Sequence, residues 1–518
     1  MSAHPGRWPR RATLALLLAA VAAAQSQPTS GVDALVLAHL QQHGIEPAPV
    51  CSDAVFVRRA YLDVIGTLPT AAEARRFLED RALGKRTALI DALLVRPEFA
   101  DYQAMRWADT LRIKSEFPIN LWPNAVQAYY RWLHDCLRDN VPYDQFARAL
   151  LTASGSCFRV APVNFWRAAQ DRTPEGLAAV VALTFLGART AGWPAERRAG
   201  LAALFRQVGY KATQEWKEEI VFHDATKATG GTAAPATWLG FLPDGTRVTL
   251  SRDVDPRAVF ADWLLGPGAP WLARCAANRV WAWLCGRGIV HEPDDFRDDN
   301  PPAVPALLDW LAAELIRTRY DLRQLYRTIL TSQTWQRADA PRSPRPEAEA
   351  LFASYPPRRL EAEVLIDAIC QITGTGEEYQ SPIPEPFTFL PAGQRAIGLA
   401  DGSITSPFLE LFGRPPRDTG LWSERSNQPT AAQRLHLLNS SHVQRKLESG
   451  RGLAGLLSGG NPRRTVTEIY LTILSRFPTP EELETLQARS RPATGAPRQA
   501  AEDLAWALLN STEFLFRH

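Results

Sequence analysis

Helix start signals recur along most of the chain, and they restrict its fold more than any other feature. The segments TAAE (residues 70–73), TAAQ (430–433) and TPEE (479–482) are capping boxes. In each, the threonine side chain can accept the third backbone N–H while the Glu or Gln reaches back. Residues 177–186 are almost uniformly apolar, which predicts a buried central helix. The middle differs, because an Asp244-Gly245 turn between short apolar stretches at 238–250 is typical of a β-hairpin.

These patterns predict a mainly α fold of two packed helical domains with a small β-hairpin element between them. We divide the chain into a signal peptide (1–24), an N-terminal linker (25–50), an N-terminal helical domain (51–210), a connecting segment with the hairpin (211–252) and a C-terminal helical domain (253–518). Five prolines at 341–357 predict a surface linker within the last domain. Frequent Gly and Pro predict a loop-rich insert at 373–407.

The N-terminus has the pattern of a secretory signal peptide. Arg7, Arg10 and Arg11 precede an apolar run at residues 12–24 that ends in three alanines. Whether export uses the general secretory route or the twin-arginine route stays open. The run is too short to cross a hydrocarbon core of about 30 Å, and no later segment is long enough. We therefore expect an exported protein, periplasmic or at the cell surface, with no membrane span after signal cleavage.

Composition and motifs exclude several function classes. The net charge of +3 is too small to indicate a nucleic-acid partner. The chain has no phosphate loop, no nucleophile elbow, no His-Glu-x-x-His pair, no dinucleotide fingerprint and no Cys-x-x-Cys motif. We therefore expect no cofactor and no metal. The six cysteines permit 15 disulfide pairings, with buried free thiols as the alternative. His436 and His442 are interpreted as core or surface histidines.

Arginines and acids near predicted helix and loop ends are the candidate binding residues. Guanidinium groups can fasten loops by bidentate contacts with carboxylates, or they can bind an anionic substrate such as a sulfated sugar. The acidic run at 292–299 could hold Ca²⁺, but it lacks the EF-hand spacing, so we expect it to face the N-terminus of the next helix. The candidates are Arg279, Asp294, Asp295, Arg358, Arg359, Glu361, Arg414, Arg417, Glu424 and Arg425.

Sixteen tryptophans offer a second kind of site, because aromatic rings can stack on sugars. Trp263, Trp281, Trp283 and Trp310 stand among Leu and Val in predicted helices. We therefore expect these four to fill the core rather than to form a sugar platform.

Several ordered motifs resemble a known family. FVRRAYLDVIGTLPT (56–70) looks like the opening of a planctomycete cytochrome-associated domain of unknown function. Segments similar to its companion C-terminal domain are DPR (255–257), NRVW (278–281), GRGIV (286–290), DDFR (294–297), NPP (300–302), RRLEAE (358–363), FGRP (412–415) and WALLNSTEF (506–514). The resemblance, to the DUF1549 plus DUF1553 type, implies an exported protein from planctomycete- or verrucomicrobia-like bacteria. It brings no established activity.

The chain departs from this family at two places. Members often carry Cys-x-x-Cys-His, the pattern for covalent haem attachment, directly after Phe-Leu-Gly. Here residues 185–187 are followed by ARTAGWP (188–194). Where relatives tend to have Cys-Glu-Cys-Glu-Arg, this chain has LWSER (421–425). Our hypothesis is that these thiols work together in relatives and that this protein has lost the haem or redox role.

The sequence therefore favours a non-catalytic binding or scaffold protein at the periplasm or cell surface. The partner would be an unknown exported protein or a polysaccharide, and no residue is assigned a catalytic role. Two alternatives stay open: an enzyme that processes extracellular polysaccharide or its sulfate esters, and an electron-transfer accessory protein.

Overall fold

The computed structural model describes residues 30–227, 235–266, 268–452, 455, 461–490 and 497–518. The predicted signal peptide at 1–24 lies outside these residues. The protein is mainly α-helical, as the sequence predicts. Its helices are α1 Gly31–Gln42, α2 Asp53–Val64, α3 Ala71–Glu79, α4 Lys85–Leu94, α5 Pro97–Thr110, α6 Pro123–Arg138, α7 Tyr143–Thr152, α8 Asn164–Arg167, α9 Pro174–Val181, α10 Ala195–Ala202, α11 Pro256–Leu264, α12 Trp271–Cys285, α13 Pro305–Arg317, α14 Leu322–Leu330, α15 Glu347–Ala350, α16 Ala362–Thr373, α17 Pro407–Leu411, α18 Ala431–Asn439, α19 Ser441–Ser449, α20 Pro462–Leu474, α21 Pro480–Ser490, α22 Pro497–Leu509 and α23 Thr512–Leu515.

The strands are short and antiparallel. They are β1 Gly155–Ser156, β2 Val208–Ala212, β3 Glu219–His223, β4 Thr237–Phe241, β5 Arg247–Ser251, β6 Arg358–Arg359 and β7 Phe516–Arg517. The predicted hairpin is confirmed as β4–β5, in which Thr237 pairs with Ser251 and Phe241 with Arg247. A second hairpin, β2–β3 with β1 at its edge, has no turn dipeptide that would have predicted it.

The capping boxes at Thr70 and Thr430 form as expected. The Thr70 hydroxyl accepts the Glu73 N–H at 3.2 Å while Glu73 Oε2 accepts the Thr70 N–H at 2.8 Å. Thr430 and Gln433 repeat both contacts. Each box satisfies backbone donors that a helix start otherwise leaves unpaired, so these helices begin where the sequence places them.

Buried apolar side chains fall into two clusters. The larger one draws on residues 32–355 together with Ala400, and the second on residues 360–514 together with Leu62, Leu68, Tyr102 and Met105. The two clusters divide between residues 355 and 360. Helix α12 packs on the turn that follows α9, and α13 packs on α1, so residues 256–355 share the larger cluster with the N-terminal region. The domain boundary at 211–252 stays a prediction.

Three segments differ from their predicted structure. Residues 31–42 of the predicted N-terminal linker form α1, which buries Val32, Val36 and Leu40. The predicted surface linker at 341–357 buries a set of side chains against the larger core: Ala348, Leu351, Phe352, Ala353 and Tyr355. In both cases a tertiary partner far along the chain buries the segment, and local composition carries no signal of that partner.

The third difference is in the predicted central helix at 177–186. It ends as an α-helix at Val181 and continues as a π-helical turn, Ala182–Leu186. Gly187 stops the turn at φ +63°, and a Cβ there would lie 2.9 Å from the Phe296 ring. The close approach fixes the chain entering residues 188–194 against the loop that carries Asp294.

Candidate functional site: an arginine-lined cavity

A cavity of about 450 Å³ lies at the C-terminal end of α5, where the two buried clusters meet. Helices α5 and α12, the loop before α13, strand β6 and the loop at 415–429 form its walls. Its ionisable lining consists of Arg106, Asp109, Arg279, Asp294, Arg358, Arg359, Glu361 and Arg425. We call this space the arginine cavity. Six of these eight residues are among the ten candidates chosen from the sequence. The other two, Arg106 and Asp109, were not candidates.

Glu361 is a buried carboxylate of the cavity lining that contacts two arginines. It accepts hydrogen bonds from both terminal nitrogens of Arg517, from Arg106 at 3.2 Å and from the Tyr102 hydroxyl at 3.3 Å. Burial alone would raise the pKa of this carboxyl, but the guanidinium groups of Arg517 and Arg106 hold it well below its usual range. Glu361 is therefore a permanent anion that ties the C-terminal strand β7 to α5.

Two further carboxylates, Asp109 in the cavity lining and the buried Glu363, are held by arginines of the wall formed by residues 415–429. Arg425 donates to both oxygens of Glu363, at 2.6 and 3.0 Å, and to Asp109 at 2.7 Å. Arg417 donates to the other oxygen of Asp109 at 2.9 Å. Burial raises the pKa of Glu363, but the guanidinium groups of Arg425 and Arg414 lower it, and the net pKa lies below its usual value. Both acids are thus fully engaged by arginines, which is the fastening role that the sequence offered as one alternative.

Three arginines of the lining are held mainly by neutral carbonyl oxygens. Arg359 donates to the carbonyls of Phe412 and Ser426, among others, and Arg279 donates to Thr184 O at 3.1 Å. Arg358 donates to Trp283 O and Leu284 O, and its nearest carboxylate oxygen is 3.6 Å away on Asp63. Burial lowers the pKa of Arg359 to about 10, so it stays charged at neutral pH. In the described residues, Arg279 and Arg359 form no ion pair within 4.0 Å, which leaves the cavity with a surplus of positive charge.

Asp294 joins residues 188–194 and 421–425, the two segments to which our hypothesis of a lost haem role refers. Its Oδ1 accepts a hydrogen bond from Arg189 at 2.9 Å, and its Oδ2 accepts the Trp422 backbone N–H at 3.0 Å. Residues 188–194 and 421–425 are thereby brought to one side chain although they lie more than 200 positions apart. Neither segment offers a thiol or a histidine, so their donor set does not fit covalent haem attachment.

The remaining candidates lie outside the cavity lining. Arg414, Arg417 and Glu424 stand in or behind the loop wall, where Glu424 accepts the backbone N–H groups of Asp418 and Thr419. Asp295 lines a neighbouring open groove of about 1010 Å³ and pairs with Arg297 at 3.1 Å. Of the acids at 292–299, Glu292 and Asp294 pair with Arg189, and Asp295 and Asp299 pair with Arg297.

The lining of the arginine cavity contains no cysteine and no histidine from the described residues. All six cysteines are free, each buried or half-buried, and burial raises the pKa of Cys136 to about 12. His436 and His442 approach to 3.4 Å between ring nitrogens, and His442 contacts Glu377 at 2.8 Å, a network that their sequence spacing did not indicate. Within the described part of the chain, no three His, Cys, Asp or Glu side chains converge as a metal site requires.

The four tryptophans that we expected in the core differ in how deeply they are buried. Trp281 is fully buried and Trp283 nearly so, whereas Trp263 and Trp310 are half-buried against the larger cluster. Trp283 also lines the arginine cavity.

Two family models match the chain. Residues 31–188 match the family described as PSCyt2, protein of unknown function (DUF1549), and residues 256–489 match PSD1, protein of unknown function (DUF1553). The chain belongs to this two-domain family. The arginine cavity is shared between the two matched regions, since Arg106 and Asp109 come from the first and the other ionisable lining residues from the second.

No curated protein and no solved structure matched the chain in the same comparisons. Across the described residues, no helix combines the length and the apolar character that crossing a membrane requires.

Proposed function

We propose that this protein is an exported, non-catalytic binding protein that holds an oxyanionic group, such as a sulfate or a carboxylate, in the arginine cavity. The observation that carries the proposal is the charge balance of the lining. Five arginines line the cavity with three carboxylates. Each of the three carboxylates already accepts hydrogen bonds from at least two donors. Glu361 accepts from Arg517 and Arg106. Asp109 accepts from Arg417 and Arg425, and Asp294 accepts from Arg189 and the Trp422 backbone.

An anion would give Arg279 and Arg359 the anionic partner that neither has within 4.0 Å among the described residues, where both donate to carbonyl oxygens. A carbonyl dipole stabilises a guanidinium charge less than a carboxylate does, and charge-assisted contacts to oxyanions are roughly twice as strong as neutral ones. Two buried nitrogens on the lining arginines, Arg106 Nη1 and Arg358 Nε, also lack a hydrogen-bond partner. A bound oxyanion could accept from donors of this kind.

The alternative of an enzyme acting on polysaccharide or sulfate esters has less support. General acid–base catalysis needs a group that can change its protonation state near working pH. The Glu361 carboxyl, with its pKa far below that range, is held as an anion by Arg517. Asp109 and Asp294 are each held by two donors. Ligand binding without turnover fits such engaged carboxylates better.

The test is anion binding to the mature protein by isothermal titration, with sodium sulfate, phosphate and acetate as separate ligands at constant ionic strength. Gln428→Glu places a negative charge on an exposed residue of the cavity wall without touching the buried network. At a separation of about 6 Å in water, a unit charge costs roughly 0.7 kcal/mol, or about threefold in affinity. Gln42→Glu, on an exposed position of α1, is the matched control.

We expect wild type and Gln42→Glu to bind alike, and Gln428→Glu to bind about threefold more weakly. Absence of binding by all three anions, or equal affinity in both variants, contradicts the proposal. Hydrolysis of an aryl sulfate by the same preparation supports the enzyme instead.

Export and the loss of haem are separate parts of the proposal. The motif at residues 7–24 supports export, and N-terminal mass spectrometry of protein from the native bacterium should find a mature end near residue 25. The lack of thiols in residues 188–194 and 421–425 supports loss of the haem role. A Soret band or stoichiometric iron in the purified mature protein contradicts that loss and favours the electron-transfer alternative.

A further inference from the structure

Four exposed aromatic side chains and one half-buried one, Trp122, occur on three loops outside the lining of the arginine cavity. Trp122 lies between Trp216 and Phe387, with ring centroids 6.5 and 5.4 Å away and interplanar angles of 85° and 59°. Phe117 and Phe389 lie on the same loops. We call these five residues the aromatic surface. The loops precede α6, join β2 to β3 and belong to the stretch between α16 and α17.

The exposure of these rings is unusual for their size. Trp216 is 68% exposed, Phe387 50%, Phe117 76% and Phe389 70%. A single exposed apolar residue is ordinary, but several large rings gathered at loop tips mark an interaction site. Phe117 and Trp122 lie in the region that matches the first family model, Phe387 and Phe389 lie in the region that matches the second, and Trp216 lies between the two. The surface therefore depends on how these parts of the chain pack.

The central ring is held in a costly backbone conformation. Trp122 has φ +72° and ψ +146°, a region that residues with a Cβ rarely adopt and that costs of order 1–3 kcal/mol. Its N–H donates to Ser115 O, and the preceding Leu121 is fully buried, with its carbonyl accepting from Arg167. These contacts fix the backbone that carries the half-buried Trp122 ring beside the exposed Trp216 and Phe387.

The charges around the rings decide which ligand fits. The three loops carry Glu116, Glu215 and Glu385 next to the aromatic residues, the last two exposed, against one exposed lysine, Lys217. Lys217 Nζ lies 5.5 Å from the Trp122 ring and 5.4 Å from the Trp216 ring. Lys114 is already paired with Asp418 at 2.6 Å. The balance is acidic, so it repels anionic lipid headgroups and sulfated chains.

We propose that the aromatic surface binds a neutral polysaccharide. The apolar faces of sugar rings pack on Trp216, Trp122 and Phe387, and the carboxylates of Glu215 and Glu385 accept hydrogen bonds from sugar hydroxyls. Rings at steep angles to one another suit a chain of successive sugars that twists, rather than one flat ring. This site is separate from the arginine cavity, so the two proposals succeed or fail independently.

The test is affinity electrophoresis of the full-length mature protein in gels containing hydroxyethyl cellulose, xylan or glucomannan, with dextran sulfate as the anionic comparison. We expect retardation by at least one neutral polysaccharide that is weaker for Trp216→Ala. Any retardation by dextran sulfate, which the arginine cavity would cause, should be the same for wild type and Trp216→Ala. Trp216→Ala should weaken binding by at least about tenfold, the scale of losing one main contact residue. Because Trp216 is mostly exposed, the variant should keep the wild-type thermal unfolding midpoint.

Leu83→Ala removes a 99% exposed apolar side chain elsewhere and is the matched control; it should bind as wild type. Equal retardation of Trp216→Ala and wild type overturns the proposal. So does the absence of retardation by any neutral polysaccharide, and so does binding to phosphatidylglycerol vesicles without binding to sugar, which would assign the surface to a membrane.

Discussion

Glu361 offers the sharpest test of the charged network. Glu361→Gln keeps the size of the side chain but removes the charge that faces Arg517 and Arg106, both of which are buried. Of these two arginines, only Arg517 retains a second carboxylate, Asp63 at 3.3 Å. Removing one partner of a buried ion pair costs about 3–5 kcal/mol, because the other charge is left without compensation. We expect the free energy of unfolding at pH 7 to fall by that amount.

The assay is urea unfolding followed by circular dichroism at 222 nm, with Asp91→Asn as the control. Asp91 forms an equally bidentate pair with Arg327, at 2.6 and 3.2 Å, but at the surface, where both side chains are more than a third exposed. Exposed pairs contribute about 0–1 kcal/mol. Equal losses in the two variants would show that burial does not govern the energy of the Glu361 contacts, and the reasoning would be wrong.

The pH dependence of the free energy of unfolding is a second, independent test with the same variant. The pKa of Glu361 is lower in the folded protein than in the unfolded chain, where it is about 4.3. Its contribution is therefore fully present above pH 4.3 and is lost as the pH falls below that value. The stability difference between wild type and Glu361→Gln should shrink between pH 5 and pH 3. A difference that stays constant over this range contradicts the assigned pKa direction.

Two further changes test other parts of the structure. Gly286 ends α12 at φ +77°, and a Cβ at this position would lie 2.4 Å from Arg358 Cδ. Gly286→Ala should therefore lower the free energy of unfolding by about 1–3 kcal/mol in the same urea assay. An unchanged unfolding midpoint would contradict this close packing. Burial raises the pKa of Asp367 to about 6 although Ala396 and Ile397 donate backbone N–H groups to it, so the fold favours its protonated form and stability should fall as pH rises from 4 to 6. Asp367→Asn should flatten that part of the thermal midpoint-against-pH curve, and a curve parallel to wild type would count against the assignment.

Local signals predicted much of the secondary structure because the physics behind them is local. The boxes at Thr70 and Thr430 bond within four residues, so the helices that follow them could be placed from the sequence. The turn at Asp244-Gly245 is equally local, and the hairpin forms around it. The prediction of a surface linker at 341–357 was wrong for the opposite reason. The composition of this stretch resembles a surface loop, but residues far along the chain bury Leu351 and Phe352 in the larger cluster.

The candidate site was predicted in part for a related reason. Arg358, Arg359 and Glu361 stand in one short motif, so they could be selected together. Their partners could not: Arg106 is 255 residues and Arg517 is 156 residues from Glu361 along the chain. No spacing rule connects such positions, and only the packing of α5 against β7 and α16 brings them together. The aromatic surface was missed because it likewise combines three distant loops.

Asp294 connects two distant segments beside the proposed anion site. Its two oxygens accept hydrogen bonds from Arg189, in the segment that follows Gly187, and from the Trp422 backbone N–H. Our hypothesis that both segments have lost thiols found in relatives therefore concerns segments that meet at one place in the fold. That place borders the arginine cavity, because Asp294, Leu421, Trp422 and Ser423 all line it. The Arg189–Asp294 ion pair and the hydrogen bond from the Trp422 N–H to Asp294 hold the two segments there, and the cavity beside them is the space that we propose for the anion.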